Sequence, residues 1–515
     1  MDNKKTYFEK EILPIIFIAI AVLLTFAYFS YKIEISKTFL YKNETGEVLV
    51  DQSAKTIAYI ILIGISILCM LICIYLKDKT DKLKIEQVFL IVASISCALM
   101  TISMPMSKGH DETIHGMRIY EYAEGRIISN GRDAYLEEGV TNALDTKWSY
   151  QDIIENQKSY STNTKKINWG YRVATYSPIN YLPQIIGVMA GRIFTDNSMI
   201  HLYLARIGNI IACITMCYFS IKIIPYGKNL LFILSCIPIT IEGFSTLSAD
   251  GMLVSASLLW ISYILYLCNN KEKKIGKKEI ILLTLNAIVI ALSKTIYLGL
   301  LLLLLIIPQE KWKNKKQKII AILFIILLAT ALDVGWYFIG FKSETPTADE
   351  IEIVSEGESG YLYIITKPIK YMQKLIYTIL QNSGKYIGEI YGETIEWNEE
   401  IKINLFPYIM LIASIIVSIK GKEKVEFNKY QKFVMLFIVI AETALVFTSM
   451  FIAWSKPNLS LIEGVQGRYF MPFLPLIFFG FGKKFLDTKK VANIIANIVL
   501  IMQIFVVMEL VIFHI

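Results

Sequence analysis

Two carboxylates, two imidazoles and a guanidinium crowd into nine residues at HDETIHGMR, from His110 to Arg118. A helix starting near Gly109 would set Asp111, His115 and Arg118 at i, i+4 and i+7, on one face. A carboxylate held beside an imidazole and a guanidinium stays ionised and can act as a general base on a hydroxyl. Glu112 is the next residue along the chain. The same residues also suit a plain helix N-terminus, with Asp111 or Glu112 as its cap. They do not suit a zinc protease. HExxH needs histidines four apart, whereas His110 and His115 are five apart, roughly 140° around a helix.

Arginine is used sparingly. The seven are Arg118, Arg126, Arg132, Arg172, Arg192, Arg206 and Arg468. None falls in the lysine-rich stretches 1–11, 77–84, 271–278, 311–318, 420–432 and 483–490. Lysine serves there as generic positive charge, while the planar arginine fork binds phosphate or carboxylate with two parallel bonds. As a set the arginines point to a site for an anionic ligand. Singly, each also suits a lipid headgroup or a local ion pair.

These groups are embedded in hydrocarbon. The chain has 515 residues, 55% of them hydrophobic, and a mean hydropathy of +0.50. Apolar runs of about 15–23 residues recur, close to the length that crosses a bilayer core. The expected class is an all-α integral membrane protein. Placing every lysine-rich loop in the cytoplasm satisfies the positive-inside rule. That gives a plasma-membrane chain of about 13 crossings, with a cytoplasmic N-terminus, an extracytoplasmic C-terminus and the HDE stretch on the outer face. The expected organisation is N-terminal spans over 1–106, an external loop over 107–177 and a core over 178–341. A second external loop with an amphipathic helix then covers 342–403, and C-terminal spans cover 404–515.

Two segments do not fit single crossings. Residues 178–195 are apolar but short, and suit a segment that re-enters from the outer side or lies at the interface. Residues 279–307 are interrupted at Ser293-Lys294, which suits two short helices meeting with Lys294 at the apex. Broken helices are tolerated in membranes where they line a cavity; one long tilted span is the other reading. The net charge of +8 is explained by membrane orientation, and no soluble basic domain exists to bind nucleic acid. The seven cysteines all lie in apolar runs, as small packing residues do.

Ionisable residues also fall in or at the ends of apolar runs: Glu242, Asp250, Lys294, Asp333 and Glu442. An unpaired charge in hydrocarbon costs on the order of 3 kcal/mol or more, so such residues are functional candidates by default. Asp250 and Lys294 fall near the expected outer surface and could converge on the HDE stretch. Glu442, in mid-span, reads as a buried structural contact.

In order along the chain stand PMSKGHDETIHGMRIYEYAEG, YSPINYLPQIIGVMAGRIF, IPYGKNLLFILSCIPITIEGFSTLSADG, LSKTIYLGLLLLL and GVQGRYFMPFLPL. Together they resemble a bacterial domain-of-unknown-function family of predicted polytopic membrane proteins and, through it, the GT-C glycosyltransferases. The resemblance covers roughly residues 86–310 and 460–482. It implies a GT-C-like helical bundle that transfers a sugar from a polyprenyl-phosphate donor to a cell-envelope glycan, lipid or protein. Asp111 would be the base, with Glu112 beside it. Arg118, Lys294 and Arg468 would neutralise the departing phosphate, and Tyr176 and Gln466 would hold sugar hydroxyls. His115, Arg172, Arg206, Asp250 and Tyr469 complete the expected binding set. No cofactor is required; a divalent metal is compatible but not needed. In one respect the chain departs from the GT-C pattern, since two spans precede the one leading into the motif instead of none. A lipid-linked saccharide transporter, a ligase or polymerase, and a non-enzymatic membrane protein remain the alternatives.

Overall fold

The computed structural model describes residues 12–42, 47–128, 133–144, 164–168, 176–340, 360–396, 401–403, 405–421, 423–424 and 427–514. Arg172 lies outside the described residues. Helices α1 (Leu13–Ile35), α2 (Gln52–Asp78) and α3 (Ile85–Ser103) lead to the HDE stretch. After it come the short α4 (Glu112–Ala123) and α5 (Glu138–Ala143), then α6 (Leu182–Phe194) and α7 (Ser198–Ile223). Helices α8 (Lys228–Cys236), α9 (Pro238–Ser245), α10 (Asp250–Asn269) and α11 (Lys277–Ser293) follow. The second half holds α12 (Lys315–Gly340), α13 (Gly360–Thr366), α14 (Pro368–Ile390), α15 (Phe406–Ile419), α16 (Lys429–Ala453), α17 (Leu474–Phe481) and α18 (Lys489–His514).

Among the described residues eight helices are long and apolar enough to cross a membrane: α1, α2, α3, α7, α10, α12, α16 and α18. A ninth crossing results if α8 and α9, bent by 64°, count as one span. The bend has a local cause. Pro238 opens α9 and has no N–H to give, and it forces Ile237 before it into extended backbone (φ −68°, ψ 151°). The expected count of about 13 is not reached, because several apolar runs do not form full-length helices. Residues 404–420 give a helix of 14 residues and 469–482 one of 8. The break expected within 279–307 is present: α11 stops at Ser293, Lys294 is extended (φ −154°, ψ 122°), and a 3-10 segment runs from Thr295 to Ile306. The 13-residue α6 is too short to cross, which agrees with a re-entrant or interfacial segment over 178–195.

Helix α10 is enclosed on nearly every side and forms the centre of the bundle, against α7, α11 and the 3-10 segment. By contrast α1, α2 and α12 turn large apolar side chains outward, among them Leu23, Leu24, Leu71, Leu327 and Phe338. Lipid solvates such a surface, and water would not. Helices α6 and α7 pack almost backbone to backbone. Gly187 lies against the Leu204–Ala205 main chain and Gly208 against the Pro183 carbonyl, so a side chain at either position would separate them.

A second, smaller core sits over the ends of α6 and α7. Strands β1 (Asp133–Glu137) and β2 (Thr164–Asn168) pair antiparallel, with Asp133 opposite Asn168 and Glu137 opposite Thr164. Leu136, Val140 and Leu144 pack with Ile119 and Tyr120 of α4 and with Val188 and Leu202 below. Arg192 ties this element down by pairing with Glu124 at 3.2 Å and Glu137 at 3.3 Å while lying over the Tyr120 ring. The amphipathic helix expected in the second loop is present as α13 and α14.

Candidate active site

Four charged residues from four distant segments meet at one point. Asp111 precedes α4, Asp250 opens α10, Lys294 sits in the break after α11, and Arg468 belongs to a 3-10 turn over Gly467–Phe470. Lys294 Nζ donates to Asp250 Oδ1 at 2.6 Å. Arg468 donates through Nη2 to Asp111 Oδ2. Its Nη1 stands 3.2 Å from Asp250 Oδ2, an ion pair without hydrogen-bond alignment. Gln466 Oε1 accepts from Arg468 Nε at 2.7 Å and orients the fork. Two cations thus face two carboxylates, and the cluster is neutral as a whole.

Each of these residues stands on a chain break, and buried polar side chains hold three of the breaks in place. Asn180 donates to the carbonyls of Leu292 (3.0 Å) and Ser293 (3.2 Å), closing α11 just before Lys294. Asn209 donates to Gly243, Phe244 and Thr246, and Gln184 to the Ser248 carbonyl at 2.7 Å, fixing the turn before Asp250. Glu389, at the end of α14, accepts from Gly467 N at 2.7 Å, fixing the turn that carries Arg468. Carbonyls at a helix end need such partners where no water reaches them.

The HDE stretch divides its labour. Asp111 has a left-handed backbone (φ 57°, ψ 15°) at the start of α4, and its side chain makes no capping bond. It therefore leaves the helix face expected to hold it with His115 and Arg118, and points to Arg468. Glu112 faces the other way. Arg206 grips it with two 2.7 Å bonds while Leu247 N and Gly109 N also donate to it, at 2.9 and 3.2 Å. The rest of the Arg206 fork binds the carbonyls of Thr101, Met104 and Pro105. Glu112 and Arg206, expected in the site, together anchor the end of α3 to the start of α4. His110 does similar work, its Nδ1 lying 2.6 Å from Glu242 Oε1. Arg118 is not at the site either. It pairs with Glu121 at 2.8 Å, donates to the Ile127 carbonyl and covers the Tyr122 ring.

His115 remains a near neighbour. Its Nδ1 is 2.6 Å from the Tyr181 hydroxyl and its ring stacks on Tyr176. Burial drives its imidazole down to about 4, against the raising pull of Asp111 and Asp250, so it is uncharged at neutral pH. Burial alone would raise the Asp111 carboxyl. Arg468 and then His115 outweigh that, and Asp111 is held below the ordinary carboxylate range. Asp111 is also the most open of the four, with 22% of its side chain exposed against 8% for Arg468 and 13% for Asp250 and Lys294.

Beside the cluster lies a cavity of about 250 Å³. Lys294 lines it, with the rings of Tyr176 and Tyr469 5.6 and 5.1 Å from its Nζ. Asp333 and Trp336 of α12 and Ser449 of α16 line it as well. A family model described as "Predicted membrane protein (DUF2142)" matches residues 94–477. The chain belongs to this DUF2142 family. It is a multi-pass membrane protein. The matched region includes Asp111, Asp250, Lys294, Arg468 and the whole cavity wall, while α1, α2 and α18 flank it. No curated protein and no solved structure matches the chain.

Sequence reasoning had nominated Asp111, His115, Tyr176, Asp250, Lys294, Gln466, Arg468 and Tyr469, and these lie together around the cluster and cavity. It missed the supporting residues Asn180, Gln184, Asn209 and Glu389. A signal was present for three of them, Asn180, Gln184 and Asn209: amides in apolar runs mark points where free backbone groups must be bonded. Among the described residues, no group of three or more His, Cys, Asp or Glu is arranged to hold a metal ion.

Proposed function

We propose that this protein is a membrane glycosyltransferase that moves a sugar from a polyprenyl-phosphate donor to a cell-envelope acceptor on the extracytoplasmic face. The observation that carries the reading is the convergence of Asp111, Asp250, Lys294 and Arg468 beside a cavity lined by aromatic rings. A site built to bind a phosphate must hold cations in a dry place, and dry cations need temporary partners. Asp250 and Asp111 are those partners. When the donor phosphate approaches Lys294 and Arg468, it takes over the cations and releases Asp111 from the Arg468 fork.

Asp111 then accepts the proton of the acceptor hydroxyl. The hydroxyl oxygen forms a bond to the anomeric carbon while the bond from that carbon to the phosphate oxygen breaks. The electron pair leaves with the lipid phosphate, whose added charge is met by Lys294 and Arg468. Such preorganised charge stabilisation is usually the largest contribution to a transfer of this kind.

The test uses the purified full chain in lipid vesicles with polyprenyl-phosphate sugars and extracted envelope acceptors. Asp111→Asn should lower turnover by about 10²–10⁴-fold while leaving donor binding intact. A transporter would keep its activity with Asn at this position. Transfer by Asp111→Asn at the wild-type rate would end the assignment of the base.

A further inference from the structure

Helix α14 is long enough to cross a membrane but not apolar enough to count among the spans. Its contacts show how it lies instead. The Tyr371 ring packs 5.1 Å from that of Phe451, and its hydroxyl stands 2.6 Å from Thr448 Oγ1. Further along, the Tyr386 ring lies 5.5 Å from that of Phe447. From Tyr371 to Tyr386 is about 22 Å of helix, whereas from Phe447 to Phe451 is only about 6 Å. Helix α14 therefore lies across the end of α16, not alongside it. The chain from α16 to Arg468 follows it in the same direction. Lys374 donates to the Pro457 carbonyl at 2.7 Å, Thr378 Oγ1 accepts from Ile462 N at 3.1 Å, and Glu389 accepts from Gly467 N.

The side chains of α14 fall into three sectors round its axis. Tyr371, Leu375, Thr378 and Tyr386 are buried against the protein. Lys370 and Lys385 point roughly 90° away from that face, and both are exposed. Ile369, Ile376, Leu380 and Ile387 form a third sector, about 130° round on the other side. Ile369 is 74% exposed and Leu380 70%, so the protein does not cover this stripe. A helix with aliphatic residues on one flank and lysines on the other suits the boundary between acyl chains and headgroups. Two rings mark that boundary nearby: Trp454, half-exposed just beyond α16, and Tyr337, half-exposed near the end of α12. Such amphipathic rings gather where a membrane meets water.

We propose that α14 is an in-plane membrane-contact helix. Its aliphatic stripe enters the acyl boundary of the leaflet on the Arg468 side, and Lys370 and Lys385 meet the phosphates of phospholipid headgroups. Through Glu389, on the same helix, this contact steadies the turn that carries Arg468. None of this depends on sugar transfer.

The test attaches single nitroxide labels to the full chain in phospholipid vesicles, at Ile369→Cys, Ile376→Cys, Leu380→Cys and Ile387→Cys, and at Lys370→Cys for comparison. Six native cysteines are buried, and labelled wild type supplies the background. Collisions with oxygen, which concentrates among acyl chains, and with a water-soluble nickel chelate report depth. The four aliphatic positions should favour oxygen at one shallow depth, and Lys370→Cys should favour nickel. A depth that grows steadily from 369 to 387 would mean an upright helix. A nickel preference at the aliphatic positions would mean water, and shielding from both reagents would mean a protein partner. Each of these outcomes overturns the proposal. Ile376→Ser combined with Leu380→Ser changes only exposed side chains. It should abolish the oxygen preference at Ile369→Cys and raise amide exchange at residues 466–470. An oxygen preference that survives both serines overturns the contact, and unchanged exchange after its loss removes the link to Arg468.

Discussion

Glu112 and Arg206 close a two-pronged ion pair, 2.7 Å on each arm, with no part of either side chain exposed. One residue earlier in the chain, Asp111 turns outward to Arg468. Two adjacent carboxylates thus serve opposite ends, one for the fold and one for the proposed chemistry. The left-handed backbone at Asp111 makes the separation, by throwing its side chain off the face that Glu112 uses.

Removing either member of the Glu112–Arg206 pair should therefore damage the fold. Glu112→Ala or Arg206→Ala leaves one buried charge without its partner, a loss of about 3–5 kcal/mol. Arg206→Lys should not restore it, because an ammonium cannot span both carboxylate oxygens and three carbonyls. Thermal unfolding in detergent checks this: all three variants should melt well below wild type, and Asp111→Asn should not. An unchanged melting temperature for Arg206→Ala would refute the structural role.

Arg468→Lys preserves the charge but loses the fork that reaches Asp111, Asp250 and Gln466 together. Transfer should fall by about 10²–10³-fold, the usual loss for one preorganised contact to a developing anion. The drop should lie mainly in kcat, with donor binding changed less. Equal rates for the two residues would show that only net charge matters there.

The His115 imidazole supplies a pH signature. Its native value near 4 lies below the ordinary 6.5, so between these values the unfolded chain binds more protons than the native one. Stability from this group is complete above pH 6.5 and is lost as pH falls towards 4, by up to about 3 kcal/mol. Melting temperatures of wild type and His115→Asn, compared across pH 4–7, should converge on the acid side. Parallel curves would mean that the imidazole titrates normally.

Asn180→Ala should loosen the break at Lys294 without touching a charge. The carbonyls of Leu292 and Ser293 lose their donor, a penalty of about 1–3 kcal/mol. Hydrogen exchange should rise at residues 294–297, and transfer should fall although Lys294, Asp250 and Arg468 are all present. Unchanged exchange there would mean that the 3-10 segment holds the break by itself.

Much of this arrangement is legible in the chain before any coordinates. Lys294 interrupts a run of aliphatic residues, so the break there follows from the cost of a charge in hydrocarbon. Asp111, Asp250 and Arg468 stand out in the same way, as charges next to apolar runs. What the chain does not display is which charge meets which. Arg118 and Arg206 carry the same side chain as Arg468; Arg118 meets Glu121 three residues on along its own helix, and only tertiary packing decides that Arg206 faces Glu112. The expected face of Asp111, His115 and Arg118 fails because one backbone angle at Asp111 reverses sign. The span count runs high because hydropathy detects apolar runs without fixing how long a helix each will form: 404–420 and 469–482 give helices of only 14 and 8 residues.

The Arg468 turn comes late in the chain, after seven of the eight long apolar helices. While the chain is being made, Asp250 can find Lys294 within 44 residues, but Asp111 must wait 357 residues for its cation. Until then the bundle holds an unneutralised carboxylate at its rim, and a chain that stops short of the GVQGRYF turn never loses it. Completion of the site is thus tied to synthesis of the segment that carries Arg468. The pairing of Asp111 with Arg468 marks a chain that has reached the GVQGRYF turn apart from one that has not.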